Sequence, residues 1–158
     1  MKNTTLCYIT QGEQVLMLHR VKKKNDINHY KWIGIGGKFE ENESPEECLL
    51  REVREETGLT LTEYRYCGIV TFVSDRYEGE YMHLFQATGF TGQLQTCPEG
   101  DLEWISRDFL NSLPTWEGDR IFLDLMWRRA PFFSLKLCYR GERLIYAAQD
   151  GKELLCRN

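Results

Sequence analysis

Three glutamates, Glu52, Glu55 and Glu56, stand at i, i+3 and i+4 in a 158-residue chain. On a helix, at ~100° per residue, they share one arc of ~100°. Like charges at these spacings cost an isolated helix a few tenths of a kcal/mol per pair, about 0.2 to 0.5. Near a helix C-terminus the macrodipole disfavours them again. A divalent cation would relieve both penalties. An all-oxygen donor set with no His or Cys beside it suits Mg²⁺, or Mn²⁺, rather than zinc. The alternative for the three glutamates alone is a solvated acidic helix face.

The helix itself follows from its ends. Ser44 is a good N-cap, Pro45 suits the first helical position, and Glu47 completes a capping box three residues after the cap. Gly58 closes the helix in the left-handed conformation. The expected helix therefore runs from Pro45 to Thr57, with Leu49, Leu50 and Val53 on an adjoining face that reaches a sheet.

Elsewhere strands dominate. Thr5 to Thr10 and Gln14 to His19 read as a hairpin around Gln11-Gly12-Glu13. The stretch from Lys22 to Lys31 is too charged for a core. Trp32 to Ile35 is short and apolar, and ends at Gly36-Gly37, where the backbone must turn or approach something closely. Tyr64 to Val73 and Tyr81 to Phe90 are β-rich and aromatic around a polar loop from Ser74 to Glu80, and Leu102 to Ile105 is another short strand. Gly118 to Arg129 has helical spacing and stops before Pro131. Phe132 to Tyr139 and Leu144 to Ala148 flank a last hairpin turn at Arg140-Gly141-Glu142. The class is α+β: a mixed, mostly hairpin-linked sheet with helices packed on it, in a single domain over residues 1–158.

Composition narrows the function. Hydrophobic residues make up 42% and charged residues 28%, which excludes intrinsic disorder. The apolar run from Ile121 to Trp127 is broken by Asp124, so no membrane span is expected. A net charge of −4 argues against binding of polymeric nucleic acid through a broad basic face. Met1-Lys2-Asn3-Thr4-Thr5 lacks an apolar signal-peptide core, giving a cytoplasmic expectation. The six cysteines form no C-x-x-C pair and read as reduced thiols.

Residues Gly37, Glu43, Arg51, Glu52, Val53, Glu55, Glu56, Gly58 and Leu59 match the pattern G-x5-E-x7-R-E-U-x-E-E-x-G-U, where U is a bulky aliphatic. This segment resembles the signature of the Nudix (MutT-like) hydrolases. The likeness extends over most of residues 5 to 146. It includes His19-Arg20, Lys31-Trp32 and Gly34-x-Gly36-Gly37-Lys38, then Pro98-Glu99-Gly100 with Trp104, Pro114 to Asp119, and Pro131-Phe132-Phe133-Ser134-x-Lys136. The downstream half is most similar to bacterial oxidised-purine nucleoside triphosphate diphosphatases.

The resemblance implies an α/β/α sandwich with a catalytic loop and helix. It also implies attack of a metal-activated water on a nucleoside triphosphate, giving a monophosphate and pyrophosphate. Carried over, Glu52, Glu55 and Glu56 bind Mg²⁺ (or Mn²⁺), with the Gly36 carbonyl completing the site. Glu99 joins the metals or acts as base, and Glu52 is the leading candidate to orient or deprotonate water. Arg51 pairs with carboxylates to hold the helix, and Glu43 fixes the loop. Arg20 meets the triphosphate, Lys38 is a second phosphate contact beside Gly36 and Gly37, and Lys22, Lys23 and Lys24 add steering.

Trp116 and Asp119 resemble a base-binding pair, the indole stacking and the carboxylate accepting hydrogen bonds, whereas a protonated acid would read other edges. Trp32 is a packing residue. One departure stands out: mammalian purine-sanitising relatives carry Asn immediately after this tryptophan, where this chain has Ile33. The implied role is sanitation of the nucleotide pool in support of DNA repair, with 8-oxo-dGTP the expected substrate. Hydrolysis of ADP-ribose or a dinucleoside polyphosphate, and a catalytically silent ligand sensor, are the alternatives. The protein is expected as a monomer or homodimer.

Overall fold

Side-chain alternation sets the first two strands. In β1 (Lys2–Gln11) Tyr8 points to one face while Cys7 and Ile9 point to the other. In β2 (Gln14–His19) Val15 and Met17 oppose Leu16 and Leu18 in the same way. All seven are buried, so both faces of this part of the sheet are covered. The computed structural model describes residues 1–23 and 25–158; Lys24, one of the expected steering lysines, lies outside them.

The further elements are β3 (Trp32–Ile33), α1 (Pro45–Thr57), β4 (Thr60–Ser74), β5 (Glu80–Thr91) and β6 (Asp101–Ser106). After a 3₁₀ turn at Arg107–Ser112 come α2 (Asp119–Trp127), β7 (Phe133–Arg140), β8 (Arg143–Gln149) and β9 (Lys152–Cys156). Among the described residues the strands form one mixed sheet in the order β3-β2-β1-β5-β4-β7-β8-β9, with β6 also paired to β2. One face packs Leu49 and Val53 of α1 against Cys7, Ile9, Leu16 and Phe85. The opposite face packs Phe122, Leu125 and Met126 of α2 against Tyr8, Val70 and Phe133. The α/β/α sandwich is present.

The expected hairpins β1–β2, β4–β5 and β7–β8 form. Two parallel ladders, β1–β5 and β4–β7, join them, and local turn signals do not announce such remote pairings. Strand β9 is an added edge strand, turned by Asp150 and Gly151, both with positive φ. Its residues are mostly exposed, so it carries no apolar alternation. Of the short apolar stretch from Trp32 to Ile35, only Trp32–Ile33 forms a strand, β3, although Ile35 bridges Cys7.

Helix α1 has the expected capping box: Ser44 accepts from the Glu47 amide, and Glu47 accepts from the Ser44 amide. Gly58 closes it at φ 80°. Leu50, expected to reach the sheet, is 38% exposed. The buried stripe runs Leu49, Val53, Glu56, Thr57, the i, i+4, i+7, i+8 spacing of one helical face, which places Leu50 about 100° away.

Because α1 carries the acidic residues at its far end, its cap fixes their register. Ser44→Ala is expected to cost about 1 kcal/mol of unfolding free energy by removing the N-cap acceptor, lowering Tm by roughly 2 to 4 °C. Ser44→Asp restores an acceptor and should recover most of the loss. Urea denaturation of the three proteins checks this.

Candidate active site

The loop before α1 and the helix itself are tied by one guanidinium. Arg51 donates from Nε and Nη2 to the two Glu43 oxygens at 2.7 and 2.9 Å. Its Nη2 also donates to the Lys38 carbonyl at 3.0 Å, and Nη1 to Glu52 at 2.8 Å and Glu55 at 3.1 Å. The hydrogen bonds to Arg51 pull the Glu43 carboxyl down to about 2. Arg51 therefore supplies the positive charge that lets the acidic helix face form.

The helical arc of three glutamates is split. Glu56 belongs to the buried stripe of α1, and its carboxylate accepts from the Gly36 amide at 3.2 Å. Glu52, one turn earlier, faces the same place. Glu55 lies outward, with a side chain 58% exposed and paired to Arg51. Among the described residues no three metal-ligating side chains already close on one point.

A third carboxylate arrives from the loop between β5 and β6. Glu99 takes a hydrogen bond from Arg20 at 2.5 Å and one from Lys23 at 3.0 Å. Lys22 clips the same loop through the Cys97 carbonyl at 2.7 Å. Burial raises the Glu56 carboxyl well above the usual range, and Glu99 and Glu52 push it further. Burial also raises Glu99, but Lys23, Arg20 and a hydrogen bond from Glu56 outweigh it, leaving Glu99 below its ordinary value. The two carboxyls are thus driven apart, Glu56 upward and Glu99 downward. Glu52 is raised by burial and held back by Arg51.

The paired glycines explain how these groups approach one another. A Cβ on Gly37 would stand 2.5 Å from the Glu52 carboxyl carbon, and a Cβ on Gly36 would collide with the Thr5 carbonyl. Both expectations for this dipeptide, a tight approach and a contribution to the site, fall on the same backbone.

Glu52, Glu56 and Glu99 line one end of a cavity of about 430 Å³, together with Arg20, Gly36, Gly37 and Lys38. Its other end holds Ile33, Phe72, Trp116 and Asp119. Trp116 is buried, edge-on to Phe72 and Tyr139 with ring centroids 5.5 and 4.9 Å apart. Lys31 sits 4.8 Å above its ring. Asp119 is buried at the start of α2, and burial raises its carboxyl to about 8 against the opposing influence of the Trp116 amide and Lys31. At neutral pH it is the uncharged acid, a donor as well as an acceptor, rather than the ionised acceptor. Trp32 does pack: it is buried and stacks on His19 with centroids 4.3 Å apart.

Two site residues were not anticipated. Asp26 accepts from Arg20 Nε at 2.5 Å, and Asn28 Oδ1 accepts from the Trp116 indole at 2.7 Å. Both lie in the stretch from Lys22 to Lys31 read as too charged for a core. The available signal was the Asp-x-Asn spacing, which favours a local side-chain-to-backbone turn; the Asn28 amide does donate to Asp26 at 3.1 Å.

Residues 2–126 match the NUDIX domain model. A Nudix hydrolase of Bacillus subtilis, YvcI, is 31% identical over 133 residues, covering 81% of this chain and 80% of the relative. The oxidized purine nucleoside triphosphate hydrolase of Danio rerio is 29% identical over 135 residues, covering 83% of each. Among solved structures, the MutT protein of Bacillus halodurans superposes with a TM-score of 0.83 at 27% identity, over 96% of this chain and 99% of that one.

The raised Asp119 carboxyl has a consequence for stability. The folded protein holds this proton between the ordinary carboxylate value and about 8, whereas the unfolded chain releases it. Asp119 therefore makes stability fall as pH rises from about 4 to about 8, after which its contribution levels off. Asp119→Asn should flatten that part of the curve, gaining on the parent as pH increases. Thermal unfolding of both proteins at several pH values between 4 and 9 measures it.

Proposed function

Because this chain belongs to the NUDIX domain family and is a Nudix hydrolase, we propose that it cleaves a nucleoside triphosphate to a monophosphate and pyrophosphate, with oxidised purines such as 8-oxo-dGTP preferred. The observation that carries this reading is the single cavity joining a carboxylate cluster to a tryptophan–aspartate pocket. Such a cavity accommodates a polyphosphate at one end and a base at the other.

The donor set fits a hard divalent cation. Glu52, Glu56 and Glu99 bring oxygen ligands alone, and they line one cavity whose negative charge a cation would relieve. Glu52, Glu55, Glu56, Glu99 and the Gly36 carbonyl would hold Mg²⁺ or Mn²⁺, with Glu55 released from Arg51. Bound there, the cation supplies neutralisation of phosphate charge and a lowered water pKa.

The remaining work falls to this chain's own groups. Arg20, held by Asp26 through Nε and by Glu99 through Nη1, offers Nη2 to the triphosphate, with Lys23 and Lys38 adding charge. Glu52 orients the attacking water and takes its proton; Glu99 is the second candidate for that base. Trp116 presents an apolar face to the base, and Asp119 reads its edge.

Oxidation at C8 turns guanine N7 from an acceptor into an N–H donor. The acid form of Asp119 tolerates either, by accepting through its carbonyl oxygen or donating its O–H, whereas the carboxylate accepts only. The parent should hydrolyse 8-oxo-dGTP in preference to dGTP, ADP-ribose and dinucleoside polyphosphates. The 8-oxo-dGTP to dGTP ratio of kcat/KM should rise as pH passes about 8. A gain of roughly 10-fold or more is expected, the size of one charge-assisted bond set against a repulsive contact. Steady-state rates on this panel between pH 6.5 and 9.5, with products identified, test the proposal. A higher kcat/KM on ADP-ribose would replace it, and a pH-independent ratio would remove Asp119 from base reading.

A further inference from the structure

One polar side chain in the cavity takes no part in the reaction outlined above. The Trp116 indole N–H, a donor only, is given to Asn28 Oδ1 at 2.7 Å. That bond fixes which way the Asn28 amide faces: its oxygen is committed to the indole, and its NH₂ is the group left to offer. The backbone of the residue is fixed as well, its N–H donating to Asp26 at 3.1 Å and its carbonyl accepting from the Lys31 amide at 2.8 Å. Asn28 lines the cavity at the Trp116 and Asp119 end, where Ile33 and Phe72 are apolar. Among the described residues the Asn28 NH₂ has no hydrogen-bond partner.

We propose that Asn28 is a specificity-determining residue that donates from its oriented amide to the C6 carbonyl of a purine, selecting 6-oxo over 6-amino bases. The inference rests on the nucleotide-base reading of this end of the cavity. The chemistry is direct. A 6-oxo purine presents an acceptor to the NH₂, whereas a 6-amino purine presents a second donor and leaves both groups unpaired. Asp26 links the two ends of the substrate: one oxygen holds Arg20 and the other holds the turn that carries Asn28.

Asn28→Asp is the informative substitution. It keeps an oxygen for the indole N–H and exchanges only the outward donor for an acceptor. Binding of 8-oxo-dGMP and 8-oxo-dAMP is measured calorimetrically for the parent, Asn28→Asp and Asn28→Ala, alongside turnover of 8-oxo-dGTP by the parent. These nucleotides share the C8 carbonyl and differ at C6, N1 and the 2-amino group, so the contribution of Asn28 is read from the change in preference between parent and variants. The parent should favour the 6-oxo nucleotide, and Asn28→Asp should reduce that preference by about 10-fold or more. Asn28→Ala should reduce it by a smaller factor. If Asn28 only props Trp116, Asn28→Ala weakens both nucleotides equally and Asn28→Asp leaves the preference unchanged; that result overturns the proposal. Parent turnover of 8-oxo-dGTP alongside it would leave the proposed function standing. A parent that binds both nucleotides with the expected preference but does not turn over 8-oxo-dGTP overturns the functional reading instead. A parent that binds neither overturns both.

Discussion

Carboxylates gathered in a poorly solvated place govern this structure. Glu56 sits on the buried stripe of α1, Glu52 one turn away, and Glu99 is brought over from the loop between β5 and β6. Their mutual repulsion is contained by two arginines. Arg51 spreads its guanidinium over Glu43, Glu52 and Glu55, and Arg20 spans Asp26 and Glu99. What these cations do not cancel shows in the Glu56 carboxyl, which burial and its carboxylate neighbours shift upward. A protein selected for stability alone would place a leucine at that stripe position, since the Gly36 amide offsets only part of the desolvation of the Glu56 carboxyl. The sheet, the cap and the paired glycines hold the cluster in register despite that cost.

The end with Trp116 and Asp119 obeys the same logic in milder form. Asp119 is a buried acid kept neutral by its surroundings, and Trp116 is locked by Phe72, Tyr139 and Asn28. Both groups are set before any ligand arrives, which limits the ordering that binding must supply. The turn from Asp26 to Asn28 connects the two ends: Asp26 accepts from Arg20 and from the Asn28 amide, and Asn28 accepts from the Trp116 indole.

Local rules made much of this legible. Ser44, Pro45, Glu47 and Gly58 determine the bounds of α1, and the alternation in β1 and β2 determines which residues reach which core. The fixed spacing from Gly37 to Leu59 made the family readable before any fold was known. Other features depend on partners distant in the chain. The parallel ladders β1–β5 and β4–β7 pair residues about 70 positions apart, and the split of the glutamate arc depends on where α1 meets the sheet. The protonation of Asp119 follows from burial, which no residue type announces. Asn28 was hidden in a charged stretch because its partner, Trp116, lies 88 positions away.

The account turns on whether the carboxylate cluster is completed by a cation, and thermal unfolding with and without Mg²⁺ measures this most directly. Ligand that binds only the folded state at 100 times its Kd stabilises by about 2.7 kcal/mol, roughly 5 to 10 °C for a chain of this size. The parent should show that rise. Glu56→Gln, which mimics the protonated acid, should match or exceed the parent's Tm without metal and lose most of the Mg²⁺ response. A parent whose Tm is indifferent to saturating Mg²⁺ and Mn²⁺, or a Glu56→Gln variant that responds as fully as the parent, would contradict the account.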